Sequence, residues 1–257
     1  MIDQDRIALI DADTLVWIIA YNNQDLDIDY TKTDKDILYS HIDNFIIEIL
    51  TAPNCNNYIG FLQGKGNFRL QIDDNYKKNR PEKPLFYKLL SPSIILYLVD
   101  KWGFHLVDDM EADDAVCIAQ WELNFANTII CGNDKDLLQI PGEHYNYKSK
   151  VFENITVEQA NYNLWKQMLE GDYVDNIKGI PGIGKKKAKD ILFNNVDIAS
   201  KGSDLGERLD FKVFTAYVRY YGTQALEEFN KNYKLLKLLE TSHNTHYKTP
   251  IPKQLII

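Results

Sequence analysis

The chain is poor in the residues that staple, ligate softly or anchor a protein. Only three cysteines occur in 257 residues, Cys55, Cys117 and Cys131, and no two stand at metal-ligand spacing. Their odd number argues against a closed disulfide framework and fits a reducing cytoplasm. The five histidines, His41, His105, His144, His243 and His246, are scattered, and none is assigned to catalysis. No apolar stretch reaches the ~20 residues that span a bilayer. The opening MIDQDRIALIDAD has no basic segment ahead of a long apolar run, so neither export nor a membrane partner is expected. Internal repeats and low-complexity tracts are also missing. Positive charge is in deficit, with 29 Lys and Arg against 37 Asp and Glu and a net charge of −8. That balance disfavours a simple polyanion binder, because phosphate contacts reward cationic surface.

What is present is segregated charge on a globular composition, 45% hydrophobic and 26% charged, enough for a sizeable core and a smaller appended module. Between Lys65 and Lys88 the bases Lys65, Arg69, Lys77, Lys78, Arg80, Lys83 and Lys88 outnumber the acids Asp73, Asp74 and Glu82. From Lys178 to Lys189 five lysines meet no acid. Asp and Glu gather in short knots elsewhere. Basic strips suited to a polyanion and acidic knots suited to metal are thereby kept apart, although either strip alone reads equally as a solvated face.

Periodicity alternates between strand and helix in the first half. IALID (7–11) reads as a strand, followed by the helical run TLVWIIAY with Asp13 as its N-cap. A helix fits 34–51 and a strand 57–62. QGKGNFRLQIDDNYKKNRPEKP then forms a polar, basic, arch-like insertion with no clean period. Ser91 and Pro92 read as the start of the next helix, Gly103 as its stop. FHLVD is a strand, EADDAVCIAQWEL a helix, and TIICG a strand. This alternation predicts an α/β fold with a largely parallel sheet flanked by helices. Past about residue 150 only helices are expected, and the last dozen residues read as a loosely held tail.

Ligand sites in such sheets lie at the carboxyl ends of strands, and the acids fall there. Asp11 ends the first strand; Glu111, Asp113 and Asp114 follow FHLVD; Asp134 and Asp136 follow TIICG; Asp172 and Asp175 open the helical half. An acid early in a helix, taken singly, merely complements the macrodipole. All of them at strand ends would repel one another unless a cation neutralised them. Oxygen-only ligands select Mg²⁺ or Mn²⁺ over zinc, and two such ions suit phosphodiester hydrolysis. GIPGIGKKKAKDIL adds a second signal. Gly179, Gly182 and Gly184 permit a tight turn whose amides approach a phosphate, ahead of Lys185, Lys186 and Lys187.

EADD (111–114), NDKDLLQ (133–139), GDYVDNIKGIPGIGKKKA (171–188) and YKKNR (76–80) together resemble the motifs of the flap-endonuclease and 5′-3′ exonuclease family, including bacteriophage and bacterial 5′ nucleases and the nuclease domain of bacterial DNA polymerase I. The resemblance covers about 6–240 and implies a stand-alone nuclease of phage or bacterial origin, active in the host cytoplasm if phage-encoded. It implies a PIN-like nuclease domain over 1–168 with the arch at about 64–90, and a helical helix-hairpin-helix (helix-three-turn-helix) DNA-binding module and tail over 169–257. Asp11, Glu111 and Asp113 would form one metal cluster with Asp113 bridging, and Asp134, Asp136 and Asp172 would hold a second Mg²⁺. Asp175 and Asp114 would support that second ion directly or through water. Lys77 and Arg80 would contact the scissile phosphate, with Lys78 alongside and Tyr76 stacking on a terminal base. Gly179 to Lys187 would track a duplex strand, with a K⁺ held by backbone carbonyls. The implied partner of this monomer is DNA with 5′ flaps, nicks or 5′ ends, RNA-primed DNA included.

Two positions depart from the family pattern. Gln63 stands where an aspartate normally ends the second strand; its amide oxygen can still ligate, with one charge fewer, and Asp13 is the nearby acid able to compensate. Ile18 or a neighbour stands where relatives carry an arginine. Two other readings compete. LIDADT and GDYVD resemble a haloacid-dehalogenase-type phosphatase, which Leu15 and the glycine turn do not fit. The loss at Gln63 alone favours a catalytically weakened DNA-binding or replication protein.

Overall fold

The computed structural model describes residues 3–26, 32–193, 205–241 and 253–255. Its elements in chain order are β1 (Asp3–Asp11), α1 (Asp13–Asn22), α2 (Lys32–Thr51), β2 (Cys55–Gln63), α3 (Arg69–Ile72), α4 (Leu85–Asp100), β3 (His105–Val107), α5 (Ala112–Glu122) and β4 (Thr128–Cys131). Then follow β5 (Gly142–Asn146), β6 (Val151–Ile155), α6 (Val157–Glu170), β7 (Gly171–Asp172), β8 (Ile177–Lys178), α7 (Lys185–Phe193), α8 (Leu205–Tyr221), α9 (Ala225–Leu236) and β9 (Lys253–Gln254). The main sheet runs β3-β2-β1-β4-β5-β6, with β9 on β2. β1 to β5 pair in parallel, while β6 and β9 are antiparallel additions.

The strand period of two explains why the sheet needs helices on both faces. Ala8 and Ile10 of β1 and Ile129 and Cys131 of β4 enter one core, with Leu15, Ile19, Leu38, Ile42, Ile46, Ile94 and Leu98 of α1, α2 and α4. Leu9 of β1, Ile59 and Phe61 of β2, and Ile130 of β4 enter the other, with Ala115, Val116 and Ile118 of α5. Strands buried on both faces are the mark of a parallel α/β sheet. A third cluster joins α6, α7, α8 and α9 through Trp165, Met168, Leu192, Val213, Tyr217 and Leu235. Thr156 and Gln159 start α6 with reciprocal side-chain caps. No described helix is long and apolar enough to cross a membrane.

Several expectations shift. α4 begins at Leu85 behind Pro84, and Pro92 lies inside it. The carbonyl that Pro92 leaves without a partner belongs to Lys88, on the exposed side, where water can serve it. The insertion is therefore shorter than 64–90, and it is packed. Gly64 N donates to Val107 O and Phe68 N to Asp109 O, while Asn67, Arg69 and Tyr76 are buried. β5 and β6 form a hairpin across residue 150, where helices alone were expected. Within the tail, Lys253 and Gln254 pair with Tyr58 and Asn57 instead of lying loose. Residues 246–252, 256 and 257 of that tail lie outside the described residues.

Gly60 shows how tightly β2 is covered: a Cβ there would fall 2.5 Å from the Phe104 ring. Gly60→Ala should destabilise the fold by about 1–3 kcal/mol through overpacking. Urea unfolding checks this, and an unchanged midpoint would contradict the packing described.

Candidate active site

From β1 the chain steps outward to β2 and β3, then returns to β4 on the other flank of β1. Such a reversal opens a crevice at the carboxyl ends of the two strands beside it. Asp11 is the last residue of β1, Asp134 lies just beyond β4, and Glu111 and Asp113 enter from the start of α5. They line a cleft of about 430 Å³ with Asp13, Gln63, Trp17 and Tyr87, and with Lys77, Arg80 and Lys83 from the insertion.

The acids divide by what neutralises them. Lys77 pairs with Glu111, Arg80 with Asp175, and Lys135 with both Asp172 and Asp136. Asp11, Asp13, Asp113 and Asp134 make no ion pair among the described residues. Burial, then the charges of Asp13 and Asp134, lift the Asp11 carboxyl well above the ordinary range. Asp113 is lifted likewise by burial and by Asp114. Burial raises Asp13, and burial with Asp134 raises Asp136. Such crowding is what a bound metal ion would relieve. The donors fit one: all are oxygens, and Asp136, Asp172 and Asp175 each offer an atom within 4.8 Å of the others.

The insertion is aimed into this cleft by its backbone. Lys77 adopts φ +59°, a left-handed conformation that is strained for lysine, and its N–H donates to Asp175 O at 2.9 Å. Burial lowers its ammonium below the usual lysine range, against the pull of Asp175. Arg80 and Lys78 are exposed. On the far side of the triad, burial would lower Lys135, but Asp136 and Asp172 raise it. Lys135 was not singled out from the sequence, although its place between Asp134 and Asp136 is a usable signal. Trp17 and Tyr87 had none, since each sits at an apolar helical position.

Three expected site residues have other occupations. Asp114 is fully buried and grips Arg69, whose NH1 and NH2 donate to its two oxygens at 2.5 and 2.9 Å. It also accepts from Glu111 N at 3.2 Å and Leu239 N at 3.1 Å, which leaves no lone pair for a metal. Tyr76 is 5% exposed and packs into the helical cluster. Its hydroxyl proton is shared between Glu111, at 2.7 Å, and Asp175, at 3.2 Å, so its ring is not available to a base. Gly179 is buried, and a Cβ there would meet the backbone of Glu170 and Gly171 at 2.3 Å, which makes it a packing glycine. Gly182, Gly184, Lys185, Lys186 and Lys187 are exposed and stand apart from the residues lining the cleft. Asp134 faces Asp11 and Asp113 as well as Asp136, and Asp175 belongs to the triad itself.

Arg69 carries the weight that Asp114 was expected to lend the metal. It is 1% exposed, donates through Nε to Leu235 O at 2.8 Å, and stacks its guanidinium 4.6 Å from the Phe68 ring. Burial would lower it; the Asp114 carboxylate outweighs this and raises it. Asp114→Asn would leave the buried Arg69 only its longer ion pair with Glu111, at 3.5 Å, and should cost about 3–5 kcal/mol of stability. Denaturant unfolding without metal measures it, and a loss under about 1 kcal/mol, as for an exposed pair, would contradict this account.

With the geometry established, likeness to known proteins is informative. The model of the 5′-3′ exonuclease N-terminal resolvase-like domain matches residues 6–166. DNA polymerase I of Rhizobium leguminosarum is 33% identical over 142 residues, covering 49% of this chain and 14% of the polymerase. Flap endonuclease Xni of Shewanella loihica is 29% identical over 139 residues, covering 49% of this chain and 54% of that protein. The chain thus spans about half the length of that relative and far less of the polymerase. The bacteriophage T5 flap endonuclease, solved with DNA and metal ions, superposes with a TM-score of 0.55 at 19% identity over 90% of this chain and 99% of that one, a likeness of fold. The architecture, the acids at the switch point and the matched domain agree, and the chain belongs to the 5′-3′ exonuclease family.

Proposed function

We propose that this chain is a structure-specific 5′ nuclease that hydrolyses phosphodiester bonds in branched or 5′-ended DNA with two Mg²⁺, or Mn²⁺ in their place, in replication or repair. The observation that carries the reading is the meeting of uncompensated Asp11, Asp113 and Asp134 with the triad Asp136, Asp172 and Asp175 at one end of the sheet. Glu111 and Asp113 would join Asp11 at one ion and the triad would hold the other, with Asp134 between them. When bound, the pair of ions supplies Lewis-acid stabilisation of the entering and leaving oxygens.

The remaining roles fall to protein cations. Lys77 and Arg80, released from Glu111 and Asp175 as metal takes over those carboxylates, would turn to the non-bridging oxygens of the phosphate. A cation aimed at charge that develops during the reaction stabilises the transition state more than the bound substrate. Lys78 and Lys83 would add phosphate contacts at the rim. Residues from about 169 would form a DNA-binding module of helix-hairpin-helix type. Support comes from Gly182 at φ +79°, where an added Cβ meets nothing within 4 Å, and from the exposed lysines opening α7. Amides there can approach a phosphate, and K⁺ held by the turn's carbonyls would strengthen that contact. The neighbour solved with DNA and metal ions is in keeping with this partner and cofactor. The phosphatase reading, which uses Asp172 and Asp175, leaves Asp134, Asp136 and the glycine turn without a task, and the reading as a DNA binder without chemistry leaves both acid groups idle.

The test is an end-labelled 5′-flap substrate in Mg²⁺ or in EDTA. Cleavage should require the metal, and Asp113→Asn should lower the single-turnover rate at least about a hundredfold while flap binding in Ca²⁺ persists. Cleavage in EDTA, or wild-type turnover by the variant, would contradict the reading.

A further inference from the structure

Asp13, in the first turn of α1, is an acid without an ion pair among the described residues, although Lys77 and Lys83 act on it from farther off. As the first residue of α1 it would ordinarily cap that helix. The N-cap position is instead Ala12, and no side-chain cap bond forms. The Asp13 carboxylate reaches away from its own helix to the neighbouring strand, where Oδ1 accepts the Gln63 N–H at 2.9 Å. That bond fixes the carboxylate at the carboxyl end of β2, one strand over from Asp11.

The geometry points to Asp13 as a direct ligand of the metal bound beside Asp11, an inference that rests on the metal-dependent reading above. Its Oδ2 accepts no hydrogen bond among the described residues, and no lysine or arginine lies in ion-pair range. It lines the same cleft as Asp11, Asp113 and Asp134, the other carboxylates without a protein counter-ion. Asp11, its near neighbour, is 3% exposed and likewise unpaired by any cation. A carboxylate brought this close to Asp11 is repulsive in the protein alone, and only a shared cation turns that repulsion into attraction. Gln63, which ends β2, directs its side-chain amide nitrogen to Gly66 O at 3.5 Å. The strand end thus gains its negative charge from α1: the backbone of Gln63 holds the acid, and the acid comes from Asp13.

Asp13→Asn isolates this role, because asparagine keeps an oxygen acceptor for the Gln63 N–H and puts in place of the other carboxylate oxygen an uncharged amide nitrogen that does not ligate a hard cation. Mn²⁺ binding, followed by the electron paramagnetic resonance signal of the free ion, should weaken about tenfold or more in the variant. Terbium luminescence lifetimes in H₂O and D₂O count the waters left on the bound ion, and the variant should hold one more than the unaltered protein. Thermal unfolding without metal should show no loss of stability, since one of several mutually repelling acids has gone. Equal Mn²⁺ affinity, or weaker affinity with unchanged hydration, would overturn the assignment of Asp13 while leaving the metal-dependent reading intact. Failure of the unaltered protein to bind Mn²⁺ at all would overturn both.

Discussion

Repulsion among buried and half-buried carboxylates is the constraint around which this molecule is organised. Asp11, Asp13, Asp113 and Asp134 are pushed together by the strand ends that carry them, and burial raises Asp11 and Asp113 far from their ordinary acidity. Folding must work against this, and the sheet supplies the work. Leu9, Ile10, Ile129 and Ile130 are buried on both faces, which fixes the strand ends wherever the hydrophobic pattern sets them. The acids are passengers on that register. Their unfavourable proximity would be the reserve from which metal affinity is drawn, because a dication gains most where negative charge is already crowded and poorly solvated.

A second layer of charge manages the rest. Arg69 ties three distant segments together: the insertion through its own backbone, α5 through Asp114, and the end of α9 and the chain after it through Leu235 O, Lys237 O and the amide of Leu239, which Asp114 holds. This buried pair explains why the insertion is packed. With Arg69 anchored, Tyr76 is drawn into the helical cluster, and the next residue, Lys77, is turned by its left-handed backbone into the cleft. The link between the helical half and the acidic cleft therefore passes through Tyr76, whose hydroxyl touches an acid from each side, Glu111 and Asp175.

What could be read in the sequence follows from where the physical signal lies. β1 and β2 were legible as short apolar runs bounded by polar residues, and α2 and α5 because their apolar residues recur at the helical period that burial imposes. The chain of acids at strand ends was legible because parallel topology gives those ends a meaning. β6 was not, since Val151–Asn154 are exposed on an edge strand and carry no apolar alternation. Arg69 and Asp114 looked like one more base in a basic strip and one more acid in an acidic knot; only tertiary contact makes them partners 45 residues apart. Tyr76 looked like a stacking residue because it adjoins the basic motif, and its burial depends on helices far along the chain. Asp13 looked like a cap because local sequence cannot show β2 beside it.

The central claim is that two divalent ions are held side by side by these acids at the switch point of the sheet. Anomalous diffraction from crystals soaked in Mn²⁺ addresses it most directly. The account predicts two peaks, one among Asp11, Glu111 and Asp113 and one among Asp136, Asp172 and Asp175, about 3.5–4 Å apart as in two-metal sites. A single peak at the triad, or manganese bound only outside the cleft, would contradict it.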